Sequence, residues 1–192
     1  MNESGNNQEI ELWQAFLDGE EGAFSQLYKV CYRKLYTYGI NIGMTSDLVE
    51  DTIQELFIKL YTRPEQIKTA TTLLAFLFAS IRNSYLNNEK ISRRKLQIDE
   101  IDSFYFDYIV ENNPLEETEE QEQIKKQIAQ ILDSLTSRQR EIIYLKFLVQ
   151  MDYEEIASVM QLSEQAARNL AYRAIDKIRK NHKYLLLFSL LQ

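Results

Sequence analysis

A chain of 192 residues, 45% hydrophobic and 27% charged, is long enough to bury a core in one domain or in two small ones. With one cysteine, Cys31, and one histidine, His182, it can form no intramolecular disulfide and offers no ligand set for a zinc site. The net charge of −7 argues against a nucleic-acid partner only while it is treated as an average.

Along the chain the charge alternates. Residues 1–60 hold 10 acidic and 4 basic side chains, 61–96 hold 2 and 7, 97–122 hold 10 and none, and 123–192 hold 7 and 11. Two basic modules therefore alternate with two acidic segments. Every glycine lies at or before Gly43, there are 2 prolines, and no β-branched alternation is sustained, so the expected fold class is all-α. The apolar stretch at residues 184–191 is too short to span a bilayer and no charged-then-apolar leader opens the chain, which predicts a soluble cytoplasmic protein without membrane insertion.

The first expected domain, residues 9–96, contains four helices. One covers Glu9 to Leu17. The next runs from Ala23 to Ile42 with Phe24, Leu27, Tyr28, Cys31 and Leu35 inward, and Gly39 and Gly43 are expected to end it. The third starts near Ser46 behind the cap Thr45. Val49, Ile53, Leu56, Phe57, Leu60 and Tyr61 form its buried stripe at helical spacing, leaving Asp47, Glu50, Asp51, Gln54 and Glu55 on the other face. Like charges four apart, such as Asp51 and Glu55, cost an isolated helix about 0.2–0.5 kcal/mol, which a positively charged partner would recover; a solvated acidic face is the plainer alternative. The fourth helix, from about Thr72 to Lys90, buries Leu74, Leu77, Phe78, Ile81 and Tyr85. It carries Phe76, Ser80, Asn83 and Asn87 on another side, a stacking platform for bases, followed by Lys90, Arg93, Arg94 and Lys95.

Residues 97–122 combine Pro114, an Asn-Asn-Pro turn signal and a block of carboxylates, and are expected to be an extended acidic linker. Its centre, FYFDYIV, is too aromatic for an inert tether and is expected to dock. The second domain, residues 123–184, is punctuated by capping boxes at Thr136/Gln139 and Asp152/Glu155 and by an N-cap at Ser163. Two of its helices meet across a four-residue turn, Met160 to Ser163, the layout of a helix-turn-helix. The later helix exposes Gln165, Arg168, Asn169, Tyr172 and Arg173. Arginine can read guanine and the amides can read adenine, each good bidentate pair contributing about 1–3 kcal/mol of discrimination. Short helix pairs also occur in plain bundles.

In this order the pieces resemble bacterial RNA polymerase sigma factors of the extracytoplasmic function group, over residues 9–182. In EDTIQELFIKLY, Asp51, Gln54, Glu55, Phe57 and Tyr61 match the family's pattern; the resemblance implies that Asp51, Gln54 and Glu55 grip the clamp helices of core polymerase. AFLFASIRNSYLNNEKISRRK is similar to the helix that opens the minus-ten element, implying DNA contacts by Phe76, Arg82, Asn83, Asn87, Arg93 and Arg94, with residues 62–72 in place of the loop that captures a flipped base. LTSRQREIIYLKF through IRK is similar to the domain that reads the minus-thirty-five element, implying roles for Ser163, Gln165, Arg168, Asn169, Tyr172 and Arg173. Gln161 stands where the family usually has glycine, so that position either takes a left-handed conformation or shapes a different turn, and Leu170 and Ala171 stand where many members place a basic or polar residue. The linker is expected to thread the polymerase cleft as a nucleic-acid mimic, and the apolar tail, residues 185–192, extends past the usual end. Implied partners are core RNA polymerase, promoter DNA and an anti-sigma factor, with no cofactor, no metal, no small-molecule substrate and no catalytic residue. A free-standing regulator that senses through its first domain is the competing reading, and a catalyst the third; footprinting of DNA without polymerase would separate the first two.

Overall fold

The computed structural model describes residues 4–67, 73–93, 104–105 and 129–180. All regular structure within them is helical: α1 (Ser4–Leu17), α2 (Ala23–Asn41), α3 (Ser46–Thr62), a 3-10 turn at Pro64–Gln66, α4 (Leu73–Arg93), α5 (Ser137–Ile143), α6 (Tyr153–Met160) and α7 (Glu164–Lys180). The expected all-α class is what the chain adopts. The expected base-capturing loop beyond Ile67, most of the expected linker, Arg94, His182 and the apolar tail lie outside the described residues, as does the side chain of Arg93.

In the first half, α1 packs on α2, α2 on α3, and both α2 and α3 on α4. Leu27, Cys31 and Leu35 from α2, Val49, Ile53 and Leu60 from α3, and Leu77, Phe78 and Ile81 from α4 fill the core between them. The Cys31 thiol is pushed up to about 12 by burial and by the neighbouring Glu9 carboxylate, so it stays protonated as a core side chain. Glu9 is itself buried and pairs with Lys34, tying α1 to α2.

Thr45 caps α3 through its side chain, accepting from the Leu48 amide at 3.4 Å. Gly39 does not end α2 as expected: it is an interior residue of the helix, and only Gly43, with φ +98°, lies past its end. Its role is close approach. A β-carbon at Gly39 would lie 2.6 Å from Val49 Cγ2, so α2 and α3 meet where a side chain is missing. Gly39→Ala is therefore expected to lower stability by about 1–3 kcal/mol, read as a drop in denaturation midpoint without loss of cooperativity.

The second half is punctuated where the sequence indicates. Both capping boxes form: Thr136 with Gln139, and Asp152 with Glu155. Beyond α5 the chain continues into a π-turn at Tyr144–Leu148, which keeps Tyr144 and Leu145 buried. Met160, Ala167, Ala171, Ala174 and Ile178 bring α6 and α7 together, small residues on α7 letting the helices approach.

The two halves do not stand apart. Helix α6 packs against α4, and Phe104 from the linker is fully buried with its ring 6.3 Å from Tyr38 and 5.5 Å from Tyr144. The amide of Tyr105 donates to the Asn41 carbonyl at 2.7 Å. Phe104 and Tyr105, the first two residues of the linker's aromatic centre, thus dock at the seam between the halves. Among the described residues no helix is long and apolar enough to cross a membrane.

Candidate functional site

Three surfaces contain the residues singled out in the sequence. On α3, Asp47, Glu50, Asp51, Gln54 and Glu55 are all exposed, while Val49, Ile53, Leu56, Phe57 and Leu60 are buried. One ion pair lies along this face, Glu55 with Lys59 at 3.6 Å, between two well-exposed side chains, and such pairs are worth little in water. Tyr61, expected in the buried stripe, is 61% exposed instead, because α3 ends at Thr62 and its last turn overhangs the core. With Phe24, Tyr28, Gln54, Phe57, Ile58 and Thr62 it lines a groove of about 320 Å³. Ile58 is exposed there too, and the rings of Phe24 and Tyr61 meet edge-on at 5.2 Å. The polar face thus adjoins an apolar groove through Gln54, which belongs to both. Ile58 went unnoticed in the sequence because it sits off the main stripe; its spacing from Gln54, Tyr61 and Thr62 is the signal that could have found it.

On α4 the expected nucleic-acid face is divided. Asn83 and Asn87 are exposed. Phe76 is half-buried and packs against the core, so it is not the freely exposed platform expected. Arg82, expected to face a DNA strand, is fully buried. Helical geometry turns it one residue toward the core from Asn83, and α5 covers it: Arg82 Nε donates to Glu141 Oε1 at 3.1 Å, and the Tyr38 hydroxyl donates to the same oxygen at 2.7 Å. Burial raises the Glu141 carboxyl above its ordinary value despite the opposing pull of Arg82 and Tyr38, and burial raises the Tyr38 phenol too, so that it remains a donor. The other carboxylate oxygen, Oε2, is buried without a hydrogen bond among the described residues.

The third surface is the helix-turn-helix of α6 and α7. Gln161 occupies its turn at φ 54°, ψ 51°, a left-handed conformation that costs a non-glycine residue about 1–2 kcal/mol. Of the two alternatives the sequence left open, the left-handed turn is the one adopted, without the glycine. The Ser163 hydroxyl accepts from the Ala166 amide at 3.2 Å and starts α7. Gln165, Arg168, Asn169, Tyr172 and Arg173 are exposed, and Leu170 is half-buried, which explains an apolar residue there. Helix α7 holds its polar face in order: Gln165 donates to Asn169 at 3.1 Å, Arg168 pairs with Glu164, and Arg173 Nε donates to the Asn169 carbonyl at 3.3 Å. The Arg168 guanidinium carbon also lies 4.6 Å from the centre of the Tyr153 ring, close to which Lys146 lies at 4.9 Å.

Among the described residues no group of His, Cys, Asp and Glu could hold a metal ion. The arrangement offers one acidic and apolar docking face and one helix whose exposed arginines and amides suit base edges.

Comparison with known proteins bears on the helix-turn-helix and on the fold. The family described as sigma-70, region 4 matches residues 125–178, the span that includes the helix-turn-helix. The chain is 21% identical over 156 residues to the ECF RNA polymerase sigma factor SigM of Bacillus subtilis (strain 168), covering 80% of this chain and 91% of that one. In fold it is similar to CnrH in a complex with the cytosolic domain of CnrY (TM-score 0.55, 19% identity, 93% of this chain and 99% of that one). A second similar fold is the sigma factor RpoE of Bartonella quintana in a complex with the anti-sigma factor NepR (TM-score 0.57, 20% identity, 84% and 98%). Residues 125–178 thus match sigma-70 region 4, and over most of its length the chain is similar to a sigma factor of the extracytoplasmic function group.

Proposed function

We propose that this chain is a cytoplasmic promoter-specificity subunit that binds core RNA polymerase, directs it to promoter DNA and promotes opening of the duplex. The observation that carries the reading is the helix-turn-helix: it lies within the segment matched to sigma-70 region 4, and its second helix presents arginines and amides to solvent. The domain division follows: residues 9–96 bind polymerase and the minus-ten element, 97–122 link, and 123–184 read the minus-thirty-five element.

In this reading the polymerase performs the phosphoryl chemistry and the chain lends it sequence discrimination. Asp51, Gln54 and Glu55 meet the basic clamp, and Ile58 and Tyr61 offer the apolar contact that gives a charged interface its affinity. Opening has no ATP motif behind it, so binding energy drives it: unstacking a base costs a few kcal/mol, which stacking and phosphate contacts return. Phe76, Arg82, Asn83, Asn87, Arg93 and Arg94 are the proposed strand contacts, and Arg82 can serve only once α5 has left it. Ser163, Gln165, Arg168, Asn169, Tyr172 and Arg173 are the proposed duplex contacts. An anti-sigma factor is a proposed partner, since the RpoE to which the fold is similar was solved bound to one.

Run-off transcription with purified core polymerase over a random promoter library tests the reading: a discrete upstream and downstream motif should emerge only when the chain is present. Binding to specific duplexes without polymerase, together with no association with the core enzyme, would favour a free-standing regulator. Arg168→Ala should relax selection at one upstream base pair by about 1–3 kcal/mol, measured by competition among promoter variants. Equal loss on every promoter would make Arg168 a phosphate contact.

A further inference from the structure

We propose that Tyr153, at the start of α6, is a positioning residue that aims Arg168 at its base pair, so that α7 meets DNA with its arginine already set. The inference deepens the promoter-binding reading and rests on it, since that reading makes Arg168 a duplex contact. Three segments converge on the Tyr153 ring. The Arg168 guanidinium carbon, from α7, lies 4.6 Å from the ring centre, and Lys146 Nζ, from the π-turn, lies 4.9 Å from it. Tyr153 itself is the first residue of α6.

The ring is held where it stands. It is half-buried and packs against the core. The capping box fixes the turn from which it projects: the Glu155 amide donates to Asp152 Oδ1 at 2.8 Å, and the Asp152 amide donates to Glu155 Oε2 at 3.0 Å. Lys146 Nζ donates to the Met151 carbonyl at 3.0 Å, which ties the π-turn to the residue before that cap.

Arg168 left to itself would be a poor probe, because a long, half-exposed side chain has rotamer freedom that DNA binding must remove. Two contacts remove it beforehand. The Tyr153 ring attracts the guanidinium charge, and Glu164 Oε1 accepts from Arg168 Nε at 3.0 Å and from Nη2. N–H groups remain on both Nη1 and Nη2, the fork that suits guanine O6 and N7. Glu164 cannot fix the aim alone, since it is also about half exposed and lies on the same helix, where such an ion pair is weak in water. The ring is the contact that comes from a separate, packed element. Its loss should therefore blunt discrimination at one base pair and leave the rest of the promoter read as before.

The test uses the full chain with core polymerase and the variants Tyr153→Phe, which keeps the ring, and Tyr153→Leu, which keeps apolar volume but removes it. Competition among promoter variants should show Tyr153→Leu losing about three- to ten-fold in discrimination at the base pair that Arg168→Ala affects, while Tyr153→Phe selects as the parent does. In the Arg168→Ala background, Tyr153→Leu should add nothing at that pair. In the free protein, NMR relaxation of the Arg168 Nε–H group should report an ordered side chain in the parent and in Tyr153→Phe, and a mobile one in Tyr153→Leu. If Tyr153→Leu loses helical circular dichroism, Tyr153→Met takes its place, because its flexible thioether fills irregular space. Equal behaviour of the ring-keeping and ring-removing variants, or a loss spread evenly over all positions, reduces the ring to core packing and overturns the proposal. If Arg168→Ala alters selection and ring removal does not, the aiming role alone fails. If Arg168→Ala leaves selection untouched, base reading by Arg168 fails first and the aiming role falls with it.

Discussion

Asp51→Lys combined with Glu55→Lys is expected to abolish retention of the chain on immobilised core RNA polymerase while leaving its helical content and melting temperature near those of the parent. Both side chains are exposed on α3 and neither reaches the core, so the fold should register the change by no more than about 0.5 kcal/mol. The Glu55–Lys59 pair is lost, but between exposed groups it contributes little. Binding is different in kind. A carboxylate facing a basic clamp gains attraction and steering, whereas a lysine in its place brings like charges together in a partly desolvated interface, which costs several kcal/mol for each close pair. Unchanged retention would remove the polymerase contact from α3. Tyr61→Ser should weaken retention through the adjoining groove and so separates the apolar share of the interface from the charged one.

The second large effect is expected at the seam. Removing one partner of a buried ion pair costs about 3–5 kcal/mol because the remaining charge loses compensation, so Glu141→Ala deprives the fully buried Arg82 of its carboxylate. The molecule can escape that cost without unfolding, by parting its halves and returning Arg82 to water. The penalty should therefore appear as domain opening, with each half keeping its helices. Replacing the whole polar cluster, Tyr38→Phe with Arg82→Met and Glu141→Leu, should do the opposite: a packed apolar seam of similar volume is neutral or stabilising, and the chain should stay compact in scattering. Opening in both constructions would mean that shape, not charge, holds the seam.

The same cluster should respond to pH. Burial lifts the Glu141 carboxyl above its ordinary value, against Arg82, Tyr38 and Arg138, so its protonated form is favoured in the closed state. Its contribution to closure is complete below the ordinary carboxylate range and is lost as pH rises through the raised value. Acidification from neutrality should compact the parent chain more than Glu141→Gln, whose neutral amide has no proton to take up. Identical pH profiles for the two would exclude Glu141 as the responsive group.

Much of the local structure was legible in residues near one another in sequence. The capping boxes at Thr136 and Asp152 close rings within four residues, so side chain and spacing alone dictate them. The stripe from Val49 to Leu60 follows from helical periodicity, and the acidic face opposite it from the same periodicity. Gly39 was misread because a glycine inside a helix and one beyond its end look alike until the neighbour Val49 is seen. Tyr61 was misread because periodicity says which way a side chain points and not where the core stops beneath it.

Arg82 shows the limit most clearly. The resemblance puts it with Asn83 among residues that touch DNA, and its charge and the basic segment after it agree. Its burial depends on Glu141 and Tyr38, far away in the chain, and on a linker phenylalanine that seals the space between the halves. Helix content, capping and the exposed polar face of α7 were determined by the sequence, because each rests on interactions within a few residues. Whether the two halves touch, and which polar side chains that contact withdraws from solvent, was decided only by the tertiary structure, because long-range packing selects among surfaces that local chemistry leaves equally exposed.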